Sequence, residues 1–352
     1  MDIRALIKPL TAFAAACFLL GAIAIFADRP VNAVLDSEIL LPDFARQIDA
    51  AQALEIVHGR GMSGAVTLSF KRTPEGWVMR ERDDYPARQE LVNETLLALG
   101  SLQTGAARTA QPKWHRALGL VPPEEFGKAI QFRVRDEDDV LLADIMLGKE
   151  EASEVAAVQQ TKQLGTVERN FYVRRTDSAQ TWLARGRLPR NAQIGAWLDP
   201  AFPSLPQELL VSVSTGNEAA EEGASPDLLR RMPDGRWNLA RGEPWLESFS
   251  RLQPEDVSRD SEINFETATT LHLNYINGVI VSLEIVDAGP VLWIRSSASV
   301  STVARNAPLN DVGLEEARAS VDELNRRFSG WALRLPPSAA EQLLVTAADF
   351  EG

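Results

Sequence analysis

The pattern that most restricts what this chain can fold into is a recurrence 160 residues apart. Trp77, in a Glu-Gly-Trp-Val-Met-Arg-Glu stretch, matches Trp237 in Asp-Gly-Arg-Trp-Asn-Leu-Ala. The Phe-Tyr-Val-Arg run starting at Phe171, followed by Ser178, Ala179 and Leu183, matches Trp331-Ala-Leu-Arg, Ser338, Ala339 and Leu343 at the same spacing. Between them, Leu102-Gln103 matches Leu252-Gln253, and a hairpin over Ile130–Leu147 matches one over Thr270–Ile285. The second hairpin turns at Asn277-Gly278, a dipeptide that readily takes the positive φ angles of a tight hairpin. The recurrence predicts an α+β fold of two tandem repeats, antiparallel hairpins and meanders with packed helices, preceded by one N-terminal transmembrane helix. The expected divisions are 1–27 (cytoplasmic N-terminus and anchor), 28–51 (connector), 52–204 (first repeat) and 205–352 (second repeat).

Local signals fill in each unit. Val66, Leu68 and Phe70 alternate as a half-buried strand, Thr73-Pro-Glu-Gly76 turns the chain, and Trp77 opens the return strand. Tyr85–Leu99 is expected as a helix with Pro86 in its first turn, where a missing N–H costs nothing. Leu91, Val92, Leu96 and Leu99 form its apolar face, and Gly100 ends it. Gly105–Leu120 reads as a linker carrying Trp114 and His115. Asp136–Asp139 reads as a hairpin turn, since it lacks the glycine and distal glutamate of an EF-hand. Phe171–Arg175 is expected as a strand and Thr176–Ala184 as a short helix. In the second unit, Gly216–Asp227 reads as an acidic insert. Leu314, Ala317, Val321, Leu324 and Phe328 mark one face of an amphipathic helix.

Ahead of all this stands Leu10–Ala27, eighteen residues without a charge. At about 1.5 Å per residue it just crosses a bilayer core of about 30 Å. Arg4 and Lys8, opposed only by Asp2, precede it, while Asp28, Arg29, Asp36, Glu38 and Asp43 lie beyond it. The positive-inside bias then leaves the N-terminus in the cytoplasm and the bulk of the chain outside. A cleaved signal peptide is the competing reading, with Ala22-Ile23-Ala24 or Val31-Asn32-Ala33 as the site, but the apolar run exceeds the usual h-region. Lipidation at Cys17, the sole cysteine, conflicts with the apolar residues that follow it. Ala14, Ala15, Ala16 and Gly21 leave room for a neighbouring transmembrane helix.

Chemistry is sparse by comparison. A net charge of −13 argues against a nucleic-acid partner, whose phosphates want a basic surface, and equally against lying flat on anionic lipid. Gly59-Arg-Gly61-Met-Ser-Gly64 matches the dinucleotide-binding pattern, but a strand follows where that site needs a helix, so these glycines read as a turn. His58, His115 and His272 have no ligand-like spacing, and no nucleophile elbow, Walker loop or zinc motif occurs. Glu124-Glu125, Glu150-Glu151 and Glu221-Glu222 fall in loop-like stretches. Arg174 and Arg334, at matched places, are expected to pair across their sheets. The basic clusters Arg169–Arg175 and Arg185–Arg190 are the places where an acidic partner could dock. No catalytic, cofactor-binding or metal-binding residue is assigned, and no cofactor is expected.

The order of the motifs is itself informative. An anchor leads to a Val-Thr-Leu hairpin ending in Gly-Trp, then Tyr85-Pro86, then Trp114-His-Arg-Ala-Leu-Gly-Leu. Leu141-Leu-Ala-Asp-Ile-Met-Leu-Gly-Lys149 follows, then Phe171-Tyr-Val-Arg-Arg and Ala196-Trp-Leu-Asp199. This order resembles the bacterial DUF4340 family, most clearly across 65–200. The resemblance implies a membrane-associated protein linked with auxiliary components of gliding-motility-type ABC transport systems. From it we expect a non-enzymatic, single-pass inner-membrane protein with its bulk in the periplasm. Its expected partners are the inner membrane, through Leu10–Ala27, and ABC transporter permease or ATPase subunits. The alternative is a periplasmic module that clasps an envelope polysaccharide or peptide between its two units, with Trp77, Trp114, Trp197, Trp237 and Trp293 as candidate contacts.

Overall fold

The computed structural model describes residues 38–151, 169–216, 227–239, 242–289, 291–301 and 311–344. The apolar run Leu10–Ala27, Glu221-Glu222 and most of the Gly216–Asp227 insert lie outside these. Among the described residues no helix is long and apolar enough to cross a membrane.

The fold is α+β, built from antiparallel sheets with a few helices. The first sheet contains β1 (Glu38–Ile39), β2 (Ala53–Gly59), β3 (Ala65–Thr73), β4 (Gly76–Met79), β5 (Tyr85–Pro86), β6 (Gln103–Ala107), β7 (Ile130–Arg135), β8 (Leu141–Glu150), β9 (Arg169–Arg175) and β10 (Thr181–Gly186). Their spatial order is β1-β6-β10-β9-β8-β7-β2-β3-β4-β5. The second sheet contains β11 (Leu210–Thr215), β12 (Asp227–Arg230), β13 (Asp256–Arg259), β14 (Thr269–Tyr275), β15 (Val279–Asp287), β16 (Leu292–Val300) and β17 (Trp331–Leu335). Its order is β12-β11-β14-β15-β16-β17-β13.

The two orders correspond strand for strand. Setting aside β1, β4 and β5, the first sheet reads β3-β2-β7-β8-β9-β10-β6, and β12 through β13 follow the same route. Trp77 pairs with Arg72 and Trp237 with Arg231, so the matched tryptophans occupy matched ladder positions. In both sheets a helix then leads to the matched strand: Gln89–Gly100 before β6 and Gly242–Phe249 before β13. The later match is displaced by one strand. The sheet order sets β17 against β10, whereas the sequence spacing aligns it with β9. A better marker is the Arg-Leu-Pro triplet, which follows β10 at Arg187 and straddles the end of β17 at Arg334.

Three other expectations change. The helix begins at Gln89, because Tyr85 and Pro86 pair with Met79 and Val78 as β5. The Gln89 side chain fixes that start by hydrogen-bonding the N–H and C=O of Trp77 at 2.7 and 2.8 Å. Residues 181–186 form a strand, not the end of a helix, since β9 and β6 offer ladders on both sides. The supposed linker begins inside β6, whose Gln-Thr-Gly-Ala-Ala carries no apolar alternation. The glycine-rich segment 59–64 does connect two antiparallel strands, and Asp136–Asp139 does turn a hairpin.

One continuous core joins the sheets. Leu54, Ile56, Leu68, Phe70 and Phe132 meet Val92, Leu96 and Leu99 of the helix, and the same cluster runs on through Leu271, Leu283 and Ile294. Trp197 lies fully buried 5.1 Å from the Phe70 ring. The opposite face of the first sheet is covered by a separate cluster of Leu120, Ala129 and Met146. Beside β16, the helix Asp311–Phe328 inserts Ala317, Leu324 and Phe328 into the core. Asn325 takes the place of a missing ladder partner there. Its side chain accepts from the Ala298 N–H (2.8 Å) and donates to the Ala298 C=O (2.9 Å).

Candidate functional site: the joint between the sheets

A charged cluster lies where the β4–β5 end of the first sheet meets the β13 edge of the second. After β4, Asp83 and Asp84 take positive φ angles of 51° and 62° and reverse the chain. This throws Arg82 outward. Its Nε and Nη2 donate to the two carboxylate oxygens of Asp256 at 2.5 and 3.1 Å. Arg334 stands directly opposite Asp256 in the β13–β17 ladder, with Nη2 3.6 Å from the same carboxylate. One carboxylate is therefore held between two guanidiniums. The hydrogen bond to Asp256, before any other cause, makes the Arg82 guanidinium hold its proton more tightly than usual.

Aromatic contacts close the joint. The Arg259 guanidinium lies 3.7 Å from the Trp331 ring centroid and donates to the Asp83 carbonyl at 3.0 Å. Trp331 meets the buried Tyr85 ring edge-on at 5.0 Å. Arg327, on the long helix, pairs with Asp199. Burial, then the nearby Asp199 carboxylate, raises the Tyr85 phenol's pKa. A phenol with a raised pKa stays neutral and the guanidiniums stay charged near neutrality, so these side chains hold ion pairs and ring contacts across the joint.

The residues singled out in the sequence are dispersed. His115 Nε2 lies 3.0 Å from the Ala179 carbonyl, His272 bonds Ser282, and His58 is buried on β2. Among the described residues no group of three His, Cys, Asp or Glu side chains could hold a metal ion. Glu124 pairs with Arg133, Glu150 with Arg190, and Glu151 with Arg108. Arg174 does not pair across the sheet. It donates to the carbonyls of Leu120, Arg175, Thr176 and Ser178. Nor does it match Arg334 in place, since β17 corresponds to β10. Trp77 and Trp197 are core residues, Trp237 and Trp293 are half-buried, and Trp114 is exposed. Sequence reasoning missed Arg82, Asp256 and Tyr85, because Arg82 and Asp256 are 174 positions apart and no local pattern links them.

A separate groove of about 480 Å³ opens beside the second sheet, walled by Leu205, Leu246, Phe249 and Tyr275. The Tyr275 hydroxyl accepts a hydrogen bond from the Leu205 N–H at 3.0 Å. Burial pushes this phenol up to about 12.

The family model described as "Domain of unknown function (DUF4340)" matches residues 77–274, more than half of the chain. The chain belongs to the DUF4340 family. That match begins at Trp77, beside the joint, and runs into β14, so it includes both Arg82 and Asp256. No curated protein and no solved structure matches this DUF4340 chain.

Proposed function

We propose that this DUF4340 chain is a non-catalytic scaffold, tethered by Leu10–Ala27 to the periplasmic face of a bacterial inner membrane. It serves as an auxiliary subunit of an ABC-type transport complex, whose ATP hydrolysis lies in a partner. We read its two sheets as tandem copies of one unit, on the strength of their matched strand order. The joint is the observation that carries the scaffold reading. A carboxylate held by Arg82 and Arg334, over a core continuous between the sheets, makes one stiff body from two units. A stiff body presents two separated surfaces at a fixed distance, which is what a bridging subunit requires.

The test is affinity capture of the full chain from cross-linked, detergent-solubilised membranes. Co-purification of a permease and an ATPase is expected. Recovery of the chain alone, in high yield, would overturn the assignment. The second reading, a module for an envelope polysaccharide or peptide, draws on the groove at Phe249 and Tyr275. It predicts a change in tryptophan fluorescence on titration with cell-envelope fragments, through the neighbouring Trp245, which stacks on Phe249 at 5.0 Å.

A further inference from the structure

The glycine-rich segment 59–64 has no part in the joint, yet it is built with unusual care. It meets the loop 121–128 through backbone bonds: Gly59 N–H to the Ala129 carbonyl (2.9 Å) and Gly61 N–H to the Gly127 carbonyl (3.0 Å). Gly127 N–H in turn bonds the Pro122 carbonyl at 2.9 Å. A Cβ on Gly127 would sit 1.8 Å from the Val121 carbonyl oxygen, and one on Gly59 2.4 Å from the Gly127 carbonyl oxygen. Only glycine allows the two loops to approach this closely.

The locked pair holds apolar side chains out into solvent. Met62 is 87% exposed and Phe126 61% exposed. Phe126 does so at φ +57°, a conformation strained for an aromatic residue. That conformation closes the short turn Pro123–Glu125, with the Phe126 N–H donating to the Pro123 carbonyl at 3.1 Å, so the turn itself holds the ring out in solvent.

Charge surrounds this tip. The register His58↔Ile130↔Leu147, continued two residues past the strands, brings Arg60, Lys128 and Lys149 to three adjacent strand ends. Arg60 and Lys128 are exposed and form no ion pair among the described residues. Of the nearby acids, Glu124 is neutralised by Arg133, which leaves Glu125. Cations flanking protruding apolar side chains, on a chain of net charge −13, match the chemistry of an anionic bilayer surface. The acidic remainder would be repelled from that surface, so the tip alone can approach it.

We propose that loops 60–64 and 121–128 form a membrane-docking tip. Met62 and Phe126 enter the interfacial zone of an anionic bilayer, and Arg60 and Lys128 bind its phosphate headgroups. This deepens the tether reading and rests on it, by fixing how the tethered body lies on the membrane.

The test uses the full chain with Cys17→Ala and Met62→Cys, labelled at position 62 with the dye NBD. The chain is reconstituted in nanodiscs of phosphatidylglycerol and phosphatidylcholine, or of phosphatidylcholine alone. The expected result is a blue-shifted emission, quenched by lipid-borne nitroxide, in the anionic discs only. It should disappear with Arg60→Glu plus Lys128→Glu, and weaken several-fold in about 0.5 M salt. Unshifted emission from an alkali-resistant, integrated chain overturns the docking tip and leaves the tether standing. A shift that appears only when other membrane proteins are added also overturns it, because a protein then covers the tip. An alkali-extractable chain that still shifts on anionic vesicles overturns the tether and keeps the tip.

Discussion

His58 should make this protein lose stability between pH 6.5 and 4 for a reason separable from general acid denaturation. It alternates with Leu54 and Ile56 along β2, only 6% exposed, and its Nε2 has no hydrogen-bond partner. Burial first, then the positive charges of Arg60 and Arg190, pull its pKa from 6.5 down to about 4. The folded state therefore resists the proton that the unfolded chain accepts. Stability is unaffected above the unfolded pKa and falls as the pH drops toward the folded one. A gap of about 2.5 pH units at about 1.4 kcal/mol per unit amounts to about 3 kcal/mol once the pH is below 4, of which about 2 kcal/mol is lost by about pH 5. The assay is urea unfolding of the full chain in one detergent, at about pH 7.5 and 5, for the wild type and His58→Leu. Other titrating groups cancel in the comparison, so the wild type should lose about 2 kcal/mol more than the variant on acidification. Equal losses would refute the reasoning, as would an NMR titration placing the His58 pKa at or above 6.5.

Three further perturbations address the joint, the tip loops and the sheet edge. Asp256→Ala leaves Arg82 and Arg334 facing each other without a counter-charge and should cost about 3 kcal/mol in thermal or urea unfolding. The double change Arg82→Met plus Asp256→Leu should cost less than Asp256→Ala alone, and a larger loss would count against the clamp. Gly127→Ala, which forces a Cβ onto the Val121 carbonyl, should abolish folded yield, whereas Gly64→Ala meets open space and should cost only about 1–2 kcal/mol for its positive φ. Asn325→Leu strips both bonds from the Ala298 backbone and should cost about 1–3 kcal/mol. Hydrogen exchange at the Ala298 amide reads it directly, and unchanged protection there would sink the edge-cap assignment.

What was legible in the sequence follows the range of the forces involved. The Val66–Phe70 strand, the turns at Thr73–Gly76 and Asn277-Gly278, and the helix face Ala317–Phe328 rest on neighbours within one turn or hairpin, and all of them form. Where two local preferences competed, tertiary pairing decided. Leu183 and Ala184 are good helix formers, but between β9 and β6 their backbone completes a ladder. Pro86 suits a helix start, yet two aspartates in left-handed geometry turn it back onto Val78 instead. The joint was hidden because its energy lies in charges joined by the whole topology. Arg334 stood out in the sequence, but its partner Asp256 could be known only once β13 lay beside β17.

The duplication reading makes the joint a contact between unlike faces of two like units. The joint is head-to-tail: an arm from one sheet, β4–β5 with Arg82, grips the β13 edge of the next. Heterologous contacts of that kind propagate into open arrays unless both ends are blocked. Among the described residues of the second sheet, the counterpart of β4 is the single bridge Arg231↔Trp237, without a counterpart of the β4–β5 arm. In the first sheet the counterpart of β13 is β6, and β1 covers its outer side by pairing Glu38 with Thr104 and Ile39 with Gln103. A bare β6 would expose an unpaired edge to another molecule's arm. The short β1 thus does more than begin the fold. Its two residues occupy the edge on which a further arm would dock, and deleting them should increase self-association as the concentration rises. Sedimentation that shows no such dependence would remove β1 from this role.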